Sequence, residues 1–210
     1  MRVSRHLLPC LAALALASPS AAGPKFTSTW KAPEAAGTSF AGKKVVALII
    51  SGDENLRVSG EEALVRELLE VTSSQPVAAY RMIPKEELRN VETARGWFER
   101  GGAAGVVALR VVEAKKELTY TPSTWGNPYY GTLWGYYGYG WGSLYDPGSI
   151  REDTVLVVEV LVFDVARDKL LWAGVSETTN PKGAGKVIED LVKTAVKEMT
   201  KEGLIRQKGR

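Results

Sequence analysis

The side chains best suited to recognition chemistry are gathered in one stretch, TPSTWGNPYYGTLWGYYGYGWGSLYDPGS, Thr121 to Ser149. It holds nine of the chain's fourteen Trp and Tyr residues: Trp125, Tyr129, Tyr130, Trp134, Tyr136, Tyr137, Tyr139, Trp141 and Tyr145. The stretch also holds seven glycines, and no charge occurs between Thr121 and Tyr145. Each ring joins a large apolar face to a hydrogen-bonding tip, which suits contact with a sugar ring or a partner protein. Glycine raises the entropy cost of fixing the backbone, so this composition argues against a conventional core segment. Three readings stay open: a self-packed loop whose rings cover an edge of the sheet, a stacking surface for a glycan or protein, and a surface for membrane-interface contact or self-association. A transmembrane β-hairpin is not expected, because Leu133 and Leu144 are the only aliphatic residues available for a lipid-facing band.

Other groups could act as acids, bases or ligands. Asp53, Glu54, Glu61 and Glu62 crowd a loop and helix start, where carboxylates could hold a hard cation or move protons. The plainer reading is helix-start acids that favour the dipole and face water. Glu159 is the only charge between Thr154 and Phe163 and is expected on the half-exposed face of its strand. Ser28 and Lys31 match S-x-x-K but lack the companion motifs of a serine acyl-enzyme. Gly183-Ala184-Gly185-Lys186 lies between a strand and a helix, as a phosphate loop does. Asn180 stands in place of the first Gly, however, and Val187 in place of the magnesium-binding Ser/Thr, so a flexible helix start is expected. Trp97, Phe98 and Trp172 read as core.

The N-terminus removes further chemistries. Arg2 and Arg5 precede an apolar run from Leu7 to Ala17, too short to span a bilayer, and Ser20-Ala21-Ala22 supplies small residues for cleavage before Gly23. Residues 1–22 therefore read as a secretory signal peptide. Its removal takes away the only His (His6) and the only Cys (Cys10) and lowers the net charge from +3 to +1. Catalysis with a His base and typical zinc sites are then excluded, and charge gives no reason to expect nucleic acid. Cys10 lies near the start of the apolar run, the wrong place for lipid attachment.

The remaining chain supplies elements that could carry the aromatic stretch. Gly23–Gly42 reads as a flexible arm and residues 43–203 as one domain. Val45–Ile50 is a continuous apolar run, expected as a strand buried on both faces. A helix is predicted from Ser59, with Ser59 and Glu62 spaced as a capping box, followed by a strand over Val77–Met82. Helical spacing continues from Pro84 to Arg100, as one helix or in two pieces, and stops at Gly101-Gly102. A third strand contains Val107, Leu109 and Val111. Thr154–Val165 and Leu170–Thr178 form a hairpin, and a last helix spans about Ala184 to Glu202, leaving Leu204–Arg210 as a frayed tail. The expected fold is α+β, a single mixed sheet of about five strands in the order β-α-β-α-β-loop-β-β-α with helices packed on it.

Four of these segments carry a resemblance. KKVVALIISGDEN, PVAAYRMIPKEEL, ARGWFERGGAAGVVALRV and TVLVVEVLVFDVARDKLLWAG together resemble a group of bacterial envelope proteins that includes the curli-secretion lipoprotein and the lipoproteins that activate penicillin-binding proteins. The second half is still more similar to uncharacterised Gram-negative envelope lipoproteins in which a Tyr/Gly/Trp-rich loop precedes a strand pair. Val157 to Gly174 matches that pair, including Lys169, Leu170, Trp172 and Gly174. The resemblance implies an envelope location, and its secretion-pore members imply a ring-forming subunit. Its motifs are structural and imply no activity. The lipobox Cys of those families is missing, so outer-membrane tethering is not implied.

These readings favour a non-enzymatic cell-envelope binding or assembly module, exported by its signal peptide and periplasmic or cell-envelope associated, that contacts a partner protein or glycan through the aromatic loop. No cofactor, metal or nucleic acid is expected. The alternatives are a subunit of an oligomeric outer-membrane-associated assembly and a hydrolase working through two carboxylates about 5–10 Å apart. If the loop is a surface, deleting Gly126–Ser143 leaves the fold nearly intact.

Overall fold

A computed structural model describes residues 24–114, 128–142, 155–179, 181 and 183–205. The signal-peptide reading falls outside these residues, as do Trp125 and Tyr145. The strands are β1 (Lys25–Lys31), β2 (Lys44–Ile50), β3 (Gln75–Ala78), β4 (Ala103–Ala114), β5 (Val155–Asp164) and β6 (Lys169–Thr179). The helices are α1 (Glu54–Val71), α2 (Val91–Arg100), α3 (Pro128–Gly131), α4 (Leu133–Gly142) and α5 (Ala184–Lys201). The strands make one mixed sheet in the order β1-β6-β5-β4-β2-β3, confirming the α+β class. β2 runs parallel to β3 and β4, and β4, β5, β6 and β1 pair antiparallel.

Strand β2 explains the layering. Its alternate residues Val45, Ala47 and Ile49 pack with Leu64 and Leu68 of α1 and the apolar stripe of α5, including Leu191, Val192 and Met199. Val46, Leu48 and Ile50 pack on the opposite face with Ala94 and Phe98 of α2 and with the aromatic segment. A strand covered on both faces needs no polar alternation, as its sequence shows.

Four expectations need correction. The arm contains a sixth strand. In KFTSTWK, Phe26, Ser28 and Trp30 alternate with more exposed neighbours, and β1 forms the outer edge beside β6, with the Phe26 ring edge-on to Trp172 at 5.3 Å. The first helix begins at Glu54, not at Ser59. Asp53 Oδ1 accepts the Asn55 N–H at 2.8 Å and the Leu56 N–H at 3.1 Å, while Ser59 lies inside the helix and donates to the Leu56 carbonyl. Asp53 captures the cap because it meets two orphan amides at once. The helical spacing after Pro84 produces a helix only from Val91, capped by Asn90, whose side chain accepts from Glu92 and Thr93. At the C-terminus Leu204 and Ile205 are buried, not frayed. Gly203 (φ 72) turns the chain so that the Leu204 N–H reaches the Met199 carbonyl.

The aromatic segment departs furthest from expectation. Residues 128–142 are not a surface loop but the helices α3 and α4, laid on the sheet. Tyr130, Leu133, Trp134, Tyr136, Tyr137 and Trp141 are all buried there. Each interior glycine costs a helix about 1 kcal/mol, but each large buried side chain contributes about 1.5–3 kcal/mol, so burial wins. The glycines also admit close packing: a Cβ on Gly140 would lie 2.6 Å from Ile50 Cδ1, and one on Gly138 would lie 3.2 Å from Val91 Cγ2.

Candidate functional site

The parallel part of the sheet defines where a site can form. From β2 the chain passes through α1 on one face to β3, then through α2 on the other face to β4. The crossovers diverge at β2, so the carboxyl end of that strand is a topological switch point, where open α/β sheets leave a crevice. Ser51, Gly52 and Asp53 follow β2 at this point, and the 18-residue α1 starts here with its positive dipole end. Helix α4 crosses the same place, with Gly140 over Ile50. A cleft of about 360 Å³ remains, lined among others by Gly52, Glu54, Arg57, Lys85, Arg89 and Trp141.

The carboxylates read together from sequence differ in their main partners, although Glu54 and Glu61 share Arg57. Asp53 caps α1. Glu54 pairs with Lys85 at the cleft rim. Glu62 accepts from the Tyr80 hydroxyl at 2.7 Å and pairs with Arg81 at 2.8 Å. Glu61, fully buried, accepts from the Tyr80 N–H at 2.8 Å and the Ile49 N–H at 3.3 Å, tying α1 to the sheet. Burial pushes its carboxyl up to about 7, against the opposing pull of the Tyr80 N–H and the Arg57 charge. The four acids therefore do not converge. Among the described residues no group of three or more His, Cys, Asp or Glu could hold a metal.

Arg57 was hidden from sequence reading because its position was assigned to a loop. It is only 5% exposed. Its Nη1 lies 3.7 Å from Glu61 Oε1 and its Nη2 lies 3.9 Å from Glu54 Oε1, both too long for hydrogen bonds. Nη1 is sealed from solvent with no hydrogen-bond partner. Arg89 is exposed at the mouth, with its Cζ 5.9 Å from the Trp141 ring centre. Trp141 Nε1 is also buried without a hydrogen bond, beside the Tyr137 hydroxyl, which donates to the Leu88 carbonyl at 2.5 Å. The spacing of Lys85 and Arg89 was the available signal for this cationic rim, but both fall in turns before α2, where helical periodicity gives no face.

A second polar cluster lies under α3 and α4. Arg110 and Glu159 are direct cross-strand partners on β4 and β5, and Arg110 Nε donates to Glu159 Oε2 at 2.9 Å. The Tyr130 hydroxyl donates to Glu159 Oε1 at 2.8 Å, and Arg110 Cζ stands 4.6 Å from the Tyr139 ring centre. Glu159 is fully buried, which corrects its expected half-exposed placement: the aromatic helices cover the face it occupies. Desolvation raises its pKa while Arg110 opposes the rise. This ion pair anchors the aromatic helices to the sheet.

Of the aromatic residues singled out, Tyr130, Trp134, Tyr136, Tyr137 and Trp141 point into the core, and Tyr139 is 38% exposed. Tyr129 lies in α3, and its side chain falls outside the description. Among the described aromatic side chains of the segment, Trp141 alone lines the cleft. Ser28 and Lys31, three residues apart on β1, point to opposite faces, which removes the S-x-x-K pairing. Lys186 pairs with Asp190 one turn into α5. No helix among the described residues is long and apolar enough to cross a membrane.

No protein-family model matches this chain, and no curated protein matches it. Solved structures that resemble it include a Leu-to-Met variant of the PelC dodecamer from Paraburkholderia phytofirmans. That likeness has 13% identity and a TM-score of 0.43, covering 82% of this chain and 93% of the other. The PelC dodecamer in another crystal form, from the same organism, has 12% identity and a TM-score of 0.43, covering 86% and 97%. At these values the likeness carries no argument about function.

Proposed function

We propose that this protein is a non-enzymatic binding module of the cell envelope, and that it takes its ligand at the cleft beyond β2. The observation that carries the reading is the packing of the aromatic segment into the switch-point crevice, with Trp141 as one wall and Arg57, Lys85 and Arg89 around it. The segment acts as a core layer that shapes a site, and among its described rings Tyr139 is exposed. The leader-like residues 1–22 support an envelope location. The lack of His and Cys after residue 22 supports binding over catalysis.

The test uses the exported protein with purified peptidoglycan, lipopolysaccharide and extracellular polysaccharide, followed by co-sedimentation and biolayer interferometry. The K85E/R89E protein changes only exposed side chains at the mouth. Retention of one polymer by the wild type, lost in K85E/R89E at an unchanged Tm, is the expected result. Equal retention by both proteins, or release of new reducing ends by the wild type, overturns the reading.

A further inference from the structure

We propose that the cleft beyond β2 is an oxyanion site, built to hold a carboxylate or similar group of a small or sugar-borne ligand. The inference deepens the binding reading above and rests on it.

The first reason is Arg57. A guanidinium offers five N–H donors, yet Arg57 is almost wholly withdrawn from water, its Nη1 has no hydrogen-bond partner, and its ion pairs with Glu61 and Glu54 are long, at 3.7 and 3.9 Å. Leaving a buried cation short of acceptors is costly. The nearby acids compensate the charge of Arg57 but stand beyond hydrogen-bond distance: Glu61 is held by the Ile49 and Tyr80 amides, and Glu54 also pairs with Lys85. A planar oxyanion is the natural complement, because it can accept two parallel N–H bonds from a guanidinium.

The second reason is placement. The cleft lies at the carboxyl end of a parallel strand, where topology favours a ligand; Asp53 already caps the adjoining N-terminus of α1, and Glu54 and Glu86 also line the cleft, so the charge for an anion must come from the arginines. Exposed Arg89 forms no ion pair among the described residues and stands over Trp141 at the mouth. Two guanidinium groups with different burial thus bracket one opening, Arg57 at the wall and Arg89 at the rim. The volume, about 360 Å³, lies at the lower end of ligand pockets and suits one small group or one sugar unit.

The proposal is tested on the exported protein by thermal shift and calorimetry with sodium glucuronate, glucose, sodium phosphate and sodium chloride at matched ionic strength. Glucuronate or phosphate should raise Tm in a saturable manner, with glucose and chloride inert. The stronger of the two identifies a sugar-borne carboxylate or a phosphate as the source. R89E should raise the Kd by about tenfold or more, the equivalent of losing one charged contact. R57Q should abolish the response. R89E lies at an exposed position, so it remains informative if R57Q does not fold. An anion response no larger than that of chloride, or one unchanged in R89E, overturns the proposal. Retention of a neutral polymer at the cleft with no oxyanion response sinks this inference and leaves the binding reading standing.

Discussion

Asp168, in the turn between β5 and β6, caps the aromatic helix α4: its Oδ1 accepts the Leu133 N–H at 2.8 Å and lies 3.4 Å from the Trp134 nitrogen. Thr132 Oγ1 completes the cap by accepting from Gly135 at 3.1 Å. Asp168 has a positive φ of 49°, a left-handed conformation that Asp and Asn adopt more readily than Ala. Asp168→Ala loses the cap and strains the turn together, and should lower stability by about 1–3 kcal/mol in urea unfolding. Asp168→Asn keeps an acceptor and tolerates the turn, so it should cost less than half as much. Equal losses would mean that the negative charge on the helix dipole, not the cap, is what matters.

The adjacent residues Tyr136 and Tyr137 make a matched pair for testing the aromatic layer. Both are fully buried, and burial pushes both phenols up. Tyr137 donates to the Leu88 carbonyl at 2.5 Å. The buried Tyr136 hydroxyl has no hydrogen-bond partner of good geometry, and the nearby Arg110 charge opposes the rise of its pKa. Tyr137→Phe should therefore cost about 1–3 kcal/mol, because it strands a buried carbonyl, whereas Tyr136→Phe should be neutral or slightly stabilising. Chemical denaturation of the two single variants decides the matter, and a larger loss from Tyr136→Phe would refute the assignment.

The contact of α4 with β2 can be tested by a compensating pair. In Gly140→Ala the new methyl would meet Ile50 Cδ1 at 2.6 Å and Cγ2 at 3.3 Å inside a packed core. Overpacking of this kind costs about 1–3 kcal/mol. Ile50→Val removes Cδ1 and on its own should cost about 0.5–1.5 kcal/mol. In the double variant the methyl gains room, so the combined loss should fall at least about 0.5 kcal/mol short of the sum, as for residues in contact. Simple additivity would mean that α4 does not press on β2.

The regular elements were legible because their signals are local. Val45–Ile50 announces a buried strand, the stripe from Val187 to Met199 a helix face, and the Val-rich hairpin its own pairing. β1 was legible too, through the alternation in KFTSTWK, but its Pro- and Gly-rich surroundings masked it. The aromatic helices were not legible. Their glycines speak for a loop, and the forces that override them come from distant residues: the cap from Asp168, the anchor from Arg110 and Glu159, and the close approach over Ile50. The cleft was hidden for the same reason. Arg57, Lys85, Arg89 and Trp141 meet only after β2, α1 and α4 have packed, and apart from the four-residue step from Lys85 to Arg89 no short spacing joins them.

Glu61 should write its own signature into the pH dependence of stability. Its folded-state pKa is raised from 4.5 to about 7, chiefly by desolvation, so the folded protein holds this proton more tightly than the unfolded chain does. The resulting contribution is fully present below pH 4.5 and is lost as pH rises to about 7. Its size is on the order of 3 kcal/mol by linkage. Arg57 on α1, the amides of Ile49 and Tyr80 and the Tyr137 hydroxyl surround the carboxyl and oppose or modulate the shift. Glu61→Gln carries no titrating proton, so its urea-derived stability should change less than that of the wild type across this window. A wild-type profile that rises between pH 4.5 and 7, with the Glu61→Gln profile parallel to it, would place the governing titration elsewhere.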